Sequence, residues 1–232
     1  IGSSFLFSAY LADKLGGPTA IRQLVSNPSL GGNGVESLAR SPGPGSTPVG
    51  TSMSEGFANF SAALTLDSAQ GAFGFSDLDL LDDCSNGGFC KGPISAENDQ
   101  WSEAWQSSGH SVEGWGLKSF RFTQGDGYPL SIMVQPDRFG FEGAILSKEE
   151  SSGTWTMEKL RIDSSDGRGT GLVHGFGNTT SEVLLLVWYN SLVDDCDFDF
   201  ANCGVLSGGN YPSGTFTVSA SQVTSPAEIS ID

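Results

Sequence analysis

The sequence predicts an α+β protein, in which a small helical subdomain precedes an antiparallel β-sandwich of the jelly-roll kind. Helical periodicity of apolar residues is confined to the first half of the chain. From about residue 112 onward, short runs of β-branched and aromatic residues alternate with turns of Gly, Asp and Ser. The 32 glycines and the low charged fraction of 16% agree with a turn-rich β protein. We therefore predict a helical subdomain with Gly/Asp-rich loops at 1–110 and a sandwich domain at 111–232.

The first predicted helix begins at Ile1 and ends at Leu15, where Gly16 and Gly17 stop it. Apolar residues cover most of its surface, and a helix that is apolar nearly all round has to be enclosed by other elements. We expect the β half, a second copy of the chain or an N-terminal companion segment to cover it. The same pattern suggests that the chain was cut from a longer polypeptide.

Further helices are predicted from their ends. Pro18 suits the first turn of a helix over 18–27, and a short helix is expected over 35–40. Ser52 and Glu55 have the spacing of a capping box, and a helical stripe of apolar residues follows them.

The second half is predicted to be a series of short strands about a dozen residues apart, which is typical of an antiparallel sandwich. Turns rich in Gly, Asp and Ser, such as 124–127 and 164–169, separate the strands. The candidate strands lie at 115–123, 130–135, 139–147, 154–162, 171–176, 183–189, 215–220 and 229–231.

Net charge restricts the partners of the chain. The 27 acidic and 11 basic side chains give a formal net charge of -16. Such a field repels nucleic acid and anionic lipid, so we expect a protein partner and no nucleic acid. The sequence also lacks the run of roughly 20 apolar residues that crosses a bilayer as a helix, so membrane insertion is not expected.

The cysteines form two local pairs, Cys84 with Cys90 and Cys196 with Cys203. Loops that contain Gly, Asn and Asp suit local disulfides in an oxidising compartment. A zinc site built from all four thiolates is the alternative, but its usual intervals are shorter, at roughly two to four residues. We predict two disulfides, and hence a secreted or cell-surface protein.

Two short patterns for N-glycosylation favour the same location. They begin at Asn59 and Asn178, and each has Ser or Thr two residues further on. The pattern is short enough to occur by chance, so these asparagines are candidates only.

The sequence contains no complete catalytic motif, since HExxH, the GxSxG elbow and the Walker loop are all missing. The only histidines are His110 and His174. His110 and Glu113 have the spacing of two ligands on one helix face, but their segment is flanked by glycines and reads as a loop. We expect His110 at the surface between the two domains and His174 packed in, or at the edge of, a sheet. No catalytic residue is predicted.

Carboxylate clusters are the remaining candidates for a cation site. They comprise Asp77, Asp79, Asp82 and Asp83 in one segment and Asp194, Asp195, Asp197 and Asp199 in another. Alternating carboxylates on a loop can bind calcium, and the second cluster is our candidate site. It is not an EF-hand, because Phe200 and Leu206 stand where that loop requires Gly and a bidentate Glu. A solvated acidic loop is the alternative that we prefer.

Four aromatic residues are available for a carbohydrate-binding face on the sandwich. They are Trp115, Trp155, Trp188 and Tyr189. Because large aromatic side chains usually contribute to the core, we favour a core role for them.

Four segments of the first half are SSFLFSAYLADKLGGPTAIRQLV, SLGGNGVESLA, SEGFANFSAALTLD and GFSDLDL. In these segments the chain resembles secreted gluzincin-type metallopeptidases of the hyicolysin and immune-inhibitor kind. In that family they form the helical subdomain downstream of the zinc site, and a β-sandwich often follows. KSFRFTQGDGYPLSI, GTWTMEKLRI and SEVLLLVWYN look like that sandwich. The family's zinc ligands and catalytic glutamate lie upstream of these segments, so the resemblance places no catalytic residue in this chain.

Three functions follow as expectations. The first is a non-catalytic extracellular structural or interaction module on a metallopeptidase-like scaffold, such as a self-assembling subunit of a filament or surface layer. The alternative is the processed C-terminal portion of a secreted zinc metallopeptidase, whose catalytic half is a separate or missing segment. A calcium- or glycan-binding module on a surface protein is a third reading.

Overall fold

The computed structural model describes residues 3–28, 32–42, 46–68, 71–76, 80, 96–98, 104–190 and 213–224. The chain forms two compact units, Ile1–Ser95 and Ala96–Asp232, which we call the helical unit and the sandwich unit. Helices occupy the first and two antiparallel sheets the second, so the α+β class with a β-sandwich is confirmed.

The described residues of the helical unit form four helices, α1 (Ser3–Leu15), α2 (Pro18–Ser26), α3 (Gly32–Arg40) and α4 (Met53–Leu66). Gly17, at φ 68°, separates α1 from α2, and Pro18 begins α2 as predicted. Helix α3 begins earlier than the predicted residue 35, because the Gly32-Asn33-Gly34 segment forms its first turn rather than a loop.

Aromatic side chains of α4 cover the apolar surface of α1. The ring centroid of Phe60 lies 5.1 Å from that of Phe7 and 5.6 Å from that of Tyr10. Tyr10 is completely buried, and its hydroxyl donates a hydrogen bond to the carbonyl of Ala72 at 2.7 Å. Other parts of the helical unit therefore cover the side of α1 that carries Phe7 and Tyr10. A helix as apolar as α1 needs such cover.

A capping box starts α4, as the sequence predicts. The backbone N–H of Glu55 donates to Oγ of Ser52 at 3.1 Å, and Oε2 of Glu55 accepts the N–H of Ser52 at 3.2 Å. These two bonds pair backbone donors that a helix N-terminus otherwise leaves without partners.

We expect Ser52→Ala to lower the free energy of unfolding of the helical unit by about 1 kcal/mol, because one capping bond is lost. The measurement is urea unfolding followed by helical ellipticity. Ser37→Ala, which removes an exposed hydroxyl in α3, is the control and should leave the transition almost unchanged. Equal destabilisation by both variants would contradict the role of the cap.

The described residues of the sandwich unit form two five-stranded sheets. Sheet A has the strand order β1-β3-β9-β5-β6, and sheet B has the order β2-β10-β4-β8-β7. The strands are β1 (Glu97–Asn98), β2 (Ala104–Glu113), β3 (Leu117–Thr123), β4 (Leu130–Pro136), β5 (Phe141–Glu149), β6 (Trp155–Lys159), β7 (Arg161–Ile162), β8 (Gly169–Val173), β9 (Thr180–Tyr189) and β10 (Ser213–Gln222).

The strand order is that of a jelly roll, as predicted. The antiparallel sets β2-β10-β4-β8 and β3-β9-β5-β6 each interleave early and late strands, which produces the eight-stranded double Greek key. The short strands β1 and β7 add one neighbour at an edge of each sheet, and β1 pairs with β3 in parallel.

The core of the sandwich lies between the inner faces of the two sheets. Along β9 every residue from Val183 to Tyr189 is buried, but only alternate side chains point into this core, since successive side chains of a strand face opposite ways. The principal core residues are Phe120, Phe122, Leu130, Ile132, Val134, Phe141, Ile145, Val183, Leu185, Val187, Phe216 and Val218.

The boundary between the units differs from the predicted division at residues 110 and 111. Strand β2 runs through that position, and the sandwich unit begins at Ala96. The reason is a β-bulge: His110 pairs with Phe216 and Ser107 with Val218, so two residues oppose one. The bulge interrupts the alternation of inward and outward residues, and the segment therefore reads as a loop in the sequence.

The predicted strand 154–162 is two strands in the structure. The chain leaves sheet A after Lys159 and enters sheet B at Arg161, and between these residues the N–H of Leu160 donates to the carbonyl of Gly143 on β5. The predicted strand 229–231 lies outside the described residues.

Candidate functional site

His110 is a core residue and not the surface histidine that the sequence suggests. Its ring centroid lies 4.8 Å from that of Phe120 and 5.3 Å from that of Phe216, and Nε2 is 2.9 Å from Oγ of Ser107. The prediction was wrong because the segment around His110 is a strand, and the side chain points into the sandwich.

Glu113, which the sequence spaces as a second ligand, faces away from His110. Glu113 is exposed at the end of the same strand, three residues on, and residues an odd number apart in a strand face opposite sides. His174 is exposed just after β8. Among the residues that the structure describes, no group of three or more His, Cys, Asp or Glu side chains is placed to hold a metal ion.

Several predicted site residues lie outside the described residues, so their predictions stand as they were made. They are the candidate disulfide cysteines Cys84, Cys90, Cys196 and Cys203, the candidate calcium ligands Asp194, Asp195, Asp197 and Asp199, and the other acidic cluster, Asp77, Asp79, Asp82 and Asp83.

The four aromatic candidates for a carbohydrate-binding face do not come together on one surface. Trp188 and Tyr189 are both buried and, as neighbours in β9, point to opposite faces of sheet A. Trp155 is half-buried on β6, with Nζ of Lys148 5.7 Å from its ring centroid. Trp115 is half-buried in the turn before β3, at φ 57°.

The outer face of sheet B carries a set of uncharged and mostly polar side chains that we call the polar face. A single row crosses all five strands, from Gln106 through Ser219, Met133 and Thr170 to Arg161 at the edge. These side chains are exposed or half-buried, like the rest of the face. We define the polar face as Gln106, Ser111, Ser131, Met133, Gln135, Thr170, Leu172, Thr215, Thr217, Ser219 and Ser221.

None of the side chains that define the polar face is charged, and the neighbouring charges lie at its margins. Arg161 lies on the edge strand β7, and Glu113 ends the edge strand β2. Asp137 follows β4, where its Oδ1 accepts the N–H of Thr215 at 3.0 Å. Burial tends to raise the pKa of Asp137, but the hydrogen bonds from Thr215 and Arg138 outweigh it and hold the pKa below its usual range. Asp137 therefore stays ionised at neutral pH, at the end of the face.

Sequence reasoning did not identify the polar face, although a signal for it exists. In β10 the polar residues Thr215, Thr217, Ser219 and Ser221 alternate with inward-facing apolar residues. That period-two pattern places all four on one face of the sheet. What the sequence alone does not show is that β2 and β4 lie on either side of β10.

The fold defines the class to which this chain belongs: it is a jelly-roll β-sandwich protein that also has a helical unit. No protein-family model matches the sequence, and no curated protein matches it. No helix among the described residues has both the length and the apolar character that spanning a membrane requires.

Solved structures similar to this chain include three bacterial proteins. A mitogen derived from Yersinia pseudotuberculosis is 10% identical over 53% of this chain and 87% of its own, with a TM-score of 0.33. PliG of Salmonella Typhimurium, a periplasmic inhibitor of g-type lysozyme, is 12% identical over 53% and 94%, with a TM-score of 0.29. CorA, a surface-associated copper-binding protein of Methylomicrobium album BG8, is 10% identical over 56% and 98%, with a TM-score of 0.34. At these TM-scores the similarity carries no functional argument.

Proposed function

We propose that this chain is a secreted, non-catalytic interaction module, and that copies of it associate through the polar face. One observation carries the proposal: the side chains of this face are uncharged, on a chain whose formal net charge is -16. Copies of so acidic a protein repel one another, and the repulsion is smallest where charges are absent. The proposal of secretion is supported by the two cysteine pairs in the sequence.

The side chains of the polar face suit contact with a second copy. Serine and threonine hydroxyls both donate and accept hydrogen bonds, so each can pair with its counterpart across an interface. Met133 and Leu172 add apolar surface, and Met133 is 36% exposed. A strongly basic partner would bind more tightly to acidic parts of the surface outside the polar face. A second copy of the chain is therefore the occupant that the polar face favours.

The size of the polar face predicts a weak association. The four strands that carry the polar face lie about 4.8 Å apart and are on average about eight residues long, so they offer roughly 500 Å². A standard interface buries about 800 Å² on each partner, so we expect association only at high protein concentration. Two copies that use the same face form a closed dimer. A filament or surface layer, which the sequence suggests, therefore requires a second contact surface.

We expect Met133→Glu to weaken self-association about tenfold or more, because two like charges then meet at the centre of the dimer. The measurement is light scattering of the full chain across a concentration series, in which the mass of the unaltered protein should rise above 24.3 kDa. Added salt should strengthen its association, since salt screens the repulsion between acidic copies.

Ser164→Glu is the matched control for this experiment. It adds the same charge in the exposed turn between β7 and β8, outside the polar face, and should behave like the unaltered chain apart from the general rise in net charge. A protein that stays monomeric at every concentration, or an equal effect of the two substitutions, would rule out the polar face as the contact.

We also propose that the helical unit has a metallopeptidase-like scaffold. In support, three of the four first-half segments that resemble the gluzincin-type enzymes contain helices α1, α2, α3 and α4, and the strands of a sandwich follow them along the chain. The alternative function, the processed portion of such an enzyme, makes a different prediction for native material. Mass spectrometry would then find a second polypeptide that carries HExxH, whereas an interaction module co-purifies with none.

A further inference from the structure

The two candidate N-glycosylation sites have different surroundings in the structure. A linked glycan replaces one hydrogen of the asparagine Nδ2 atom and needs open solvent around it, so acceptors lie in surface loops. The surroundings of Asn59 and Asn178 in the folded chain therefore decide which of them can carry a glycan.

Asn59 is poorly suited to carry a glycan. It lies within helix α4, is half-buried, and its Nδ2 donates hydrogen bonds to the carbonyls of Val49 at 3.2 Å and Glu55 at 3.0 Å. A glycan on Nδ2 would remove one of these bonds and displace the chain at Val49. Ser61, whose hydroxyl completes the pattern, is itself completely buried.

Asn178 has the opposite surroundings. It is exposed in the turn between β8 and β9, and its backbone N–H donates to the carbonyl of Gly175 at 2.9 Å. The hydroxyl of Thr180, two residues on, makes an exposed hydrogen bond to the carbonyl of His174 at 3.1 Å. Both the amide and the hydroxyl of the pattern are therefore accessible while the turn keeps its backbone bonds.

We propose that Asn178 is a site of N-linked glycan attachment and that Asn59 is not. The inference rests on the secretion that is part of the proposed function, because the transferases act on exported chains.

The sugar donor is a lipid-linked phosphate or pyrophosphate saccharide. A bond forms between Nδ2 of Asn178 and the anomeric carbon, the bond from that carbon to the phosphate oxygen breaks, and the lipid phosphate leaves with the bonding electrons. The amide proton passes to a base of the transferase.

The test directs the full chain, behind a signal peptide, through a secretory pathway that glycosylates, and then measures intact mass and maps peptides. We expect a saccharide on the peptide that contains Asn178, removable by an amidase that converts this asparagine to aspartate. Asn178→Gln should abolish the modification completely, and Asn59→Gln should leave it unchanged.

A pair of variants at Thr180 separates recognition of the pattern from folding. Thr180→Ser keeps a hydroxyl and should keep the glycan, whereas Thr180→Ala should lose it, and both should retain the native unfolding transition. An unmodified Asn178 in the exported chain, or a saccharide on Asn59, would overturn the inference. Its failure is distinct from failure of the proposed function, because the light-scattering experiment can use protein without a glycan.

Discussion

Phe120→Ala should lower the free energy of unfolding of the sandwich unit by about 3–5 kcal/mol, the usual cost of removing a fully buried phenylalanine. Phe120 is 0% exposed on β3 of sheet A. Its ring centroid lies 6.0 Å from that of Trp105 on β2 and 6.1 Å from that of Phe216 on β10. The ring therefore joins the two sheets, and its loss leaves a cavity between them.

Urea unfolding followed by tryptophan fluorescence measures this effect, since all five tryptophans lie in the sandwich unit. The midpoint is the quantity to compare, because Trp105 contacts Phe120 and the amplitude will change with the substitution. Phe139→Ala is the matched control: Phe139 is 61% exposed, so we expect a change within about 0.5 kcal/mol. Similar midpoints for the two variants would show that the ring of Phe120 does not hold the sheets together.

The sequence predicts those elements whose pattern is local. The capping box of Ser52 and Glu55 was predicted correctly because both hydrogen bonds join residues three positions apart. Strand β9 was predicted because its apolar run is too short for a membrane-spanning helix. The run is also richer in β-branched and aromatic residues than an ordinary helix. The class of fold followed from the number and spacing of such runs.

The sequence fails where a non-local feature changes a local pattern. In β2, Trp105 and Ser107 face the same side as His110 and Val112, so the inward residues change from odd to even numbers. The bulge at Gly109, with φ 77°, causes the change, and the partner strand that defines it lies a hundred residues further on. The burial of His110 was for this reason not predictable, and neither was the position of β2 beside the polar face.

In the helical unit, Asp13→Ala should lower the free energy of unfolding by about 3–5 kcal/mol, because it leaves a buried cation without its partner. Lys14 is only 2% exposed, and its Nζ lies 2.7 Å from Oδ2 of Asp13. The same oxygen accepts the N–H of Ser76 at 3.0 Å, so the substitution also removes one of the hydrogen bonds between α1 and segment 71–76. Helical ellipticity during urea unfolding reports this loss, and the tryptophan transition of the sandwich unit serves as the internal reference.

Lys14→Met is the matched control, since it removes the buried charge and keeps a side chain of similar length. Replacing one member of the pair by an apolar residue leaves Asp13, which is 12% exposed and still bound to Ser76, so we expect a much smaller loss than for Asp13→Ala. If Lys14→Met lowered the free energy of unfolding as much as Asp13→Ala, the effect of Asp13→Ala would come from loss of the ion pair itself. It would then not come from a buried lysine left without a partner.

The pH dependence of the helical unit tests the same pair without altering Lys14. Burial tends to raise the pKa of Asp13, but hydrogen bonds from Lys14 and Ser76 together lower it below the usual value. A carboxyl group whose pKa is lower in the folded chain stabilises that chain above the unfolded pKa, near 3.9, and loses the contribution as pH falls through the folded pKa. The unaltered chain should therefore lose helical stability below about pH 4. Asp13→Asn should be less stable at neutral pH and show a shallower decline on acidification, and parallel curves for the two proteins would contradict the role of this carboxylate.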